Sequence, residues 1–100
     1  MNIEQMQANA RNALDLLKAL ANEHRLMVLC YLVEGELSVG ELNQRLALSQ
    51  SALSQHLAWL RNAQMVKTRK QAQTIYYSLC GNNAREVLQL LHRLYCENHV

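Results

Sequence analysis

Two sets of side chains in this 100-residue chain have types and spacing that could do chemistry. The first is a run of small uncharged polar groups, Gln50, Ser51, Ser54 and Gln55, followed by Arg61, Lys67, Arg69 and Lys70. A glutamine amide pairs bidentately with adenine, a serine hydroxyl donates or accepts at either base, and cations neutralise phosphates. Four of the 10 basic residues fall between Arg61 and Lys70 with no acid among them, although the net charge is only +2. The second set is the three cysteines Cys30, Cys80 and Cys96. They are too few and too scattered for a secreted disulfide framework and contain no C-x-x-C pair for zinc, so they read as free thiols. There is no Gly-rich phosphate loop, paired-histidine zinc motif or nucleophile elbow, and the chain is not expected to be an enzyme.

The elements that must carry these groups follow from periodicity. Ile3, Met6, Ala10, Ala13, Leu14 and Leu17 recur at spacings of three and four, which predicts an amphipathic helix from Ile3 to Leu20. Asn22 can cap a second helix whose stripe is Leu26, Leu29, Cys30 and Val33, with Gly35 as its terminator. Ser38-Val39-Gly40-Glu41 is a capping box opening a short third helix with Val39, Leu42 and Leu46 inward. Ser49 can cap a fourth helix, where Leu53, Leu57 and Leu60 share one side and Ser51, Ser54, Gln55 and Ala58 the other.

After Ala63 the period changes to two, with Ile75, Tyr77 and Leu79 alternating against Thr74, Tyr76 and Ser78. Met65 to Lys70 is the matching strand, the turn lies around Lys70 to Gln73, and Gly81 closes the hairpin. Asn83 with Glu86 resembles a capping pair, and Ala84, Val87, Leu88, Leu91, Leu94 and Tyr95 draw a last helical stripe to the C-terminus. The predicted order is αααα-ββ-α, a mainly α winged helix-turn-helix with a β-hairpin wing, forming a single domain over residues 1–100. Composition agrees: 50% hydrophobic residues support a core, and no proline, three glycines and no phenylalanine argue against an all-β fold. No run of eighteen apolar residues and no signal-like N-terminus are present, so a soluble cytoplasmic protein without a membrane partner is expected.

In a winged helix-turn-helix the second helix of the pair enters the major groove. A Ser/Gln-rich face can also be a merely solvated one, and four cations can simply solubilise a hairpin; the combination with the helix order favours DNA. His56 sits on the flank of the leucine stripe, where a packed or capping histidine and a DNA contact are equally open readings.

Leu20-Ala21-Asn22-Glu23-His24-Arg25-Leu26, Ser38-Val39-Gly40-Glu41-Leu42 and the stretch Leu48-Ser49-Gln50-Ser51-Ala52-Leu53-Ser54-Gln55-His56-Leu57-Ala58-Trp59-Leu60-Arg61, with Tyr76-Tyr77 in the wing, resemble the ArsR/SmtB family of small bacterial repressors. The resemblance spans nearly the whole chain. It implies a homodimer built by the first and last helices that binds a double-stranded operator with an inverted repeat and releases it when an inducer acts. Many members sense metals through cysteines in the third helix, where this chain has Ser38 and Gly40, or through the last helix, where His92, Glu97 and His99 stand without the family's Asp-x-His pair. Neither hydroxyl nor glycine replaces a thiolate, so no metal and no cofactor are expected.

Another branch, the reactive-sulfur-responsive regulators of HlyU, BigR and SqrR type, carries one cysteine in the second helix and one near the end of the last. Cys30 and Cys96 match both, and Cys80 has no counterpart. The resemblance implies that reactive sulfur species or oxidants bridge Cys30 and Cys96 and relieve DNA binding. By its own pattern Cys30 lies on the core-facing stripe, where cysteine is usually an inert hydrophobe. Cys96 lies off its stripe, one turn after His92 and near Arg93, although a helix C-terminus disfavours a thiolate. The resulting site has Gln50, Ser51, Ser54, Gln55 and His56 at bases, and Arg61, Lys67, Arg69, Lys70, Gln71 and Gln73 at phosphates or the minor groove. A metal-responsive repressor of the same family and a winged-helix protein-interaction module are the alternatives.

Overall fold

The structure, a computed structural model, describes residues 1–97. Its elements are α1 (Ile3–Leu20), α2 (Glu23–Leu32), β1 (Leu37–Ser38), α3 (Val39–Arg45), α4 (Gln50–Asn62), β2 (Val66–Gln71), β3 (Thr74–Leu79) and α5 (Asn83–His92), followed by a π-helical turn at Arg93–Glu97. The fold is the expected mainly helical one with a β-hairpin wing.

Four helix starts are fixed by short polar side chains that accept backbone N–H groups the helix cannot satisfy itself. Asn2 accepts from the Gln5 amide, Asn22 from His24 and Arg25, and Ser49 from Ala52. Ser38 accepts from Glu41 while the Glu41 carboxylate accepts from Ser38, completing the capping box. The fifth start differs from its prediction: Asn83 is the first helical residue, and Asn82 takes the cap position without a side-chain hydrogen bond.

The sheet has a third strand the alternation did not reveal. β1 pairs antiparallel with β3, Leu37 opposite Tyr77 and Ser38 opposite Tyr76, so the strand order is β1-β3-β2. Two residues carry no period, which is why the sequence pattern is silent there. In the wing Val66 faces Leu79, Thr68 faces Tyr77, Arg69 faces Tyr76 and Gln71 faces Thr74. The turn is made by Ala72 and Gln73, with Ala72 at φ 55°, a left-handed conformation that costs a residue with a Cβ about 1 kcal/mol.

The core joins Val28, Leu29 and Leu32 of α2, Leu42 of α3, Leu53, Leu57 and Leu60 of α4, Val66, Leu79 and Leu88. α2 is thus rotated from its predicted stripe: Leu26, Cys30 and Val33 are half-buried at its margin, because the helix is packed on more than one side. The predicted stripe of α1 is largely open, with Ile3 61%, Met6 47%, Leu14 43% and Leu17 58% exposed, and only Ala19 of that helix is buried. The last α-helix ends at His92 rather than running on, and Leu94 and Tyr95 on the π-helical turn are exposed.

Candidate nucleic-acid interface and thiol groove

Helix α4 presents its polar row as its sequence requires. With Leu53, Leu57 and Leu60 buried, the 3.6-residue repeat turns Ser51, Ser54, Gln55 and Ala58 outward, and Gln50 stands exposed in the first turn. His56 is half-buried instead, its ring centroid 5.6 Å from that of His24 in α2. Burial first, then the charges of His24 and Arg25, hold its imidazole below the usual histidine value of 6.5. His56 therefore packs against α2 and is set back from the outer row.

Arg25, the next residue of α2, was not legible as a functional residue. Its Nη2 and Nε donate to the Lys18 and Ala19 carbonyls at 2.6 and 3.2 Å, closing the C-terminus of α1, while its guanidinium carbon lies 3.9 Å from the ring centre of Trp59 in α4. One side chain thus ties three helices together, and a cation over an indole face adds electrostatic attraction to the contact.

The basic residues divide. Arg61 at the end of α4 and Lys67 and Lys70 of β2 are exposed and make no ion pair among the described residues. Arg69 is engaged: Nη2 and Nε donate to the two Glu36 oxygens at 2.6 and 3.2 Å, and Nη1 donates to Gln71 Oε1 at 2.7 Å. Glu36 lies 33 positions upstream and was likewise not legible in the sequence. Strand alternation puts Lys67, Arg69 and Gln71 on one face of the ribbon and Lys70 on the other, while Gln73 is exposed in the turn.

The thiols lie on the other side of α2. Cys30, Val33 and Glu34 form one wall of an open groove of about 480 Å³, and Leu88, Gln89, His92, Arg93 and Glu97 form the other. Cys96 sits on the π-helical turn between Arg93 and Glu97, and all three cysteines are free. Burial pushes the Cys30 thiol above its usual 9.0, and the charge of a nearby Cys96 thiolate pushes it further. Cys30 is thus the half-buried thiol of the two and Cys96 the exposed, accessible one. His92 Nδ1 lies 3.3 Å from Glu97 Oε1 across the turn. The structure places Cys80 away from this groove, half-buried in a second hollow of about 550 Å³ that includes Asn12, Met65 and Val87.

Among the described residues no group of three or more His, Cys, Asp or Glu is placed to hold a metal ion, and His99 lies outside those residues. Ser38 and Gly40 serve the start of α3. No helix among the described residues is long and apolar enough to cross a membrane.

Residues 22–68 match the family described as bacterial regulatory protein, arsR family. The transcriptional activator HlyU of Vibrio cholerae is 58% identical over 97 residues, which cover 97% of this chain and 90% of that protein. The biofilm growth-associated repressor of Xylella fastidiosa is 41% identical, over 96% of this chain and 84% of that protein. Reduced HlyU from Vibrio cholerae superposes with a TM-score of 0.86 at 58% identity, over 93% of this chain and 98% of that one. The transcriptional repressor BigR from Xylella fastidiosa superposes at 0.90 with 41% identity, over 96% and 98%.

Proposed function

Because this chain belongs to the arsR family of bacterial regulatory proteins, we propose that it is a transcriptional regulator that binds an inverted-repeat operator as a homodimer and lets go when reactive sulfur bridges Cys30 and Cys96. The observation that carries the DNA part is the exposed uncharged row of α4 flanked by cations without ion-pair partners among the described residues. Gln50, Ser51, Ser54 and Gln55 meet base edges in the major groove, and Arg61, Lys67, Lys70, Gln71 and Gln73 meet phosphates or the minor groove. His56, packed on His24, supports α4 from behind. The whole chain acts as one domain in the cytoplasm, where thiols are kept reduced until a signal arrives.

The sulfur part is supported by the exposure of Cys96, by the open groove that Cys30 lines, and by the electrostatic reach of Cys96 to Cys30. The Cys96 thiolate attacks the central sulfur of an organic trisulfide R–S–S–S–R and displaces one R–S⁻. The Cys30 thiolate then attacks the same sulfur and displaces the second. Two thiols and one trisulfide become a Cys–S–S–S–Cys bridge and two R–SH, with no further oxidant. Peroxide would instead give a direct disulfide and water, which requires the two Cα atoms within about 7 Å.

Intact mass and a cysteine-peptide map of the reduced protein after brief polysulfide treatment test this, with peroxide as comparison. A bridge between Cys30 and Cys96 carrying added sulfur under polysulfide alone is the expected result. Thiols that stay unmodified or react independently refute the sulfur switch. The DNA part is tested separately by salt: neutralising several phosphates makes log affinity fall steeply with log salt, and a flat response refutes it.

A further inference from the structure

The wing leaves the body of the protein with little beneath it. Val66 and Leu79 at its base are buried, the Thr68–Tyr77 pair is half-buried, and from Arg69 through Ile75 every residue is exposed. A two-stranded ribbon projecting past its core is free to swing unless side chains tie it back. One tie is present, at the level where the core ends. β1, β3 and β2 lie side by side with Ser38 opposite Tyr76 and Tyr76 opposite Arg69. Glu36 immediately precedes β1, so Arg69 reaches it by crossing β3, its guanidinium carbon 4.6 Å from the ring centre of Tyr76. There it donates two hydrogen bonds to the two carboxylate oxygens, at 2.6 and 3.2 Å, while Gln71 holds the remaining arm at 2.7 Å.

An isolated surface ion pair contributes little, but a two-pronged Arg–carboxylate pair on an aromatic platform is the geometry in which such pairs hold a fixed arrangement. Arg69 also keeps Glu36 below the usual carboxylate range. The end of the tie matters as much. Ser38 is both the last residue of β1 and the N-cap of α3, which packs on α4. A clamp at Glu36 therefore sets the wing relative to the helix pair that carries the Ser/Gln row.

We propose that Glu36 and Arg69 form a clasp that fixes the angle between the wing and the helix-turn-helix, which makes both of them positioning residues for DNA binding and removes Arg69 from the phosphate contacts. The role rests on the DNA-binding reading above. It reverses the sign expected for Glu36, since a carboxylate that only withheld an arginine from phosphate would weaken binding, whereas a clasp strengthens it.

The test measures affinity and salt slope on a duplex selected from a random library by the wild-type protein, with amide hydrogen exchange of β2 and β3 in the free protein. Glu36→Gln and Arg69→Gln should each weaken binding roughly tenfold, the scale of a coupled network, without changing the salt slope. Both should speed exchange between Thr68 and Tyr77 while Leu53 and Leu57 of the core stay protected. The exchanged pair Glu36→Arg with Arg69→Glu keeps the net charge and should recover most of the affinity lost by Arg69→Glu alone. The clasp is overturned if Glu36→Gln tightens binding, if Arg69→Gln lowers the slope by about 0.9, the value for one lost phosphate, or if the exchanged pair binds no better than Arg69→Glu. Should the wild-type protein select no duplex, the DNA reading fails; hydrogen exchange then decides the clasp alone, and unchanged wing exchange in both Gln variants refutes it.

Discussion

At the scale of single residues, the proposed division between base-reading and phosphate-holding groups has separable consequences. Gln55 is exposed on α4 and uncharged, so Gln55→Ala should cost about 1–3 kcal/mol at one base position and relax the choice there. Lys70 is exposed on the wing without an ion-pair partner among the described residues. Lys70→Ala should weaken all duplexes alike and lower the salt slope by about 0.9. Fluorescence anisotropy on matched and scrambled duplexes over a salt series checks both, and interchanged behaviour would show the two roles assigned the wrong way round. The placement of these two residues was legible because chemistry and helix or strand face are local properties. Arg69 was legible only as a cation; that it is engaged by a carboxylate 33 positions away was not.

At the scale of elements, α4 is held by two consecutive residues of α2. His24 faces His56 and Arg25 covers Trp59, while Arg25 also closes α1. The histidine contact has a pH consequence. His56 binds its proton less readily in the folded protein than at the ordinary value of 6.5, so the unfolded chain takes up more protons on acidification. The stability the contact contributes is present above that value and lost as pH falls below it. Calorimetric melting temperatures should therefore drop on mild acidification, and His56→Gln should remove part of that drop; an identical drop in the variant would refute the assignment. Capping signals and the leucine stripe made the helices readable in advance. The rotation of α2, the π-helical turn and β1 were not, because each is decided by neighbours distant in sequence.

At the scale of the whole molecule, the open face of α1 is the main unfinished surface. Ile3, Met6, Leu14 and Leu17 sit on a helix of 18 residues whose one buried side chain is Ala19. A contiguous apolar stripe of this kind marks an association surface, and a twofold operator calls for a twofold protein. Leu14→Asp with Leu17→Asp should give a monomer by sedimentation velocity and abolish binding to an inverted repeat, while the helical circular dichroism persists. A dimer that survives both changes would place the interface elsewhere. Fold class and helix order were legible at this scale from periodicity alone, whereas the relation of the wing to the helix pair was not.

The sequence by itself determined the five helices in order, the hairpin and the chemistry they display, since helix caps, a leucine repeat, strand alternation and an acid-free basic run act over a few residues. It also carried the two cysteine positions that resemble a sulfur-responsive branch. Only the tertiary structure decided which charges have partners, which thiol is half-buried and which histidine faces inward. Those properties depend on what packs alongside after the chain has folded back, as Glu36 does for Arg69, the groove for Cys30 and His24 for His56.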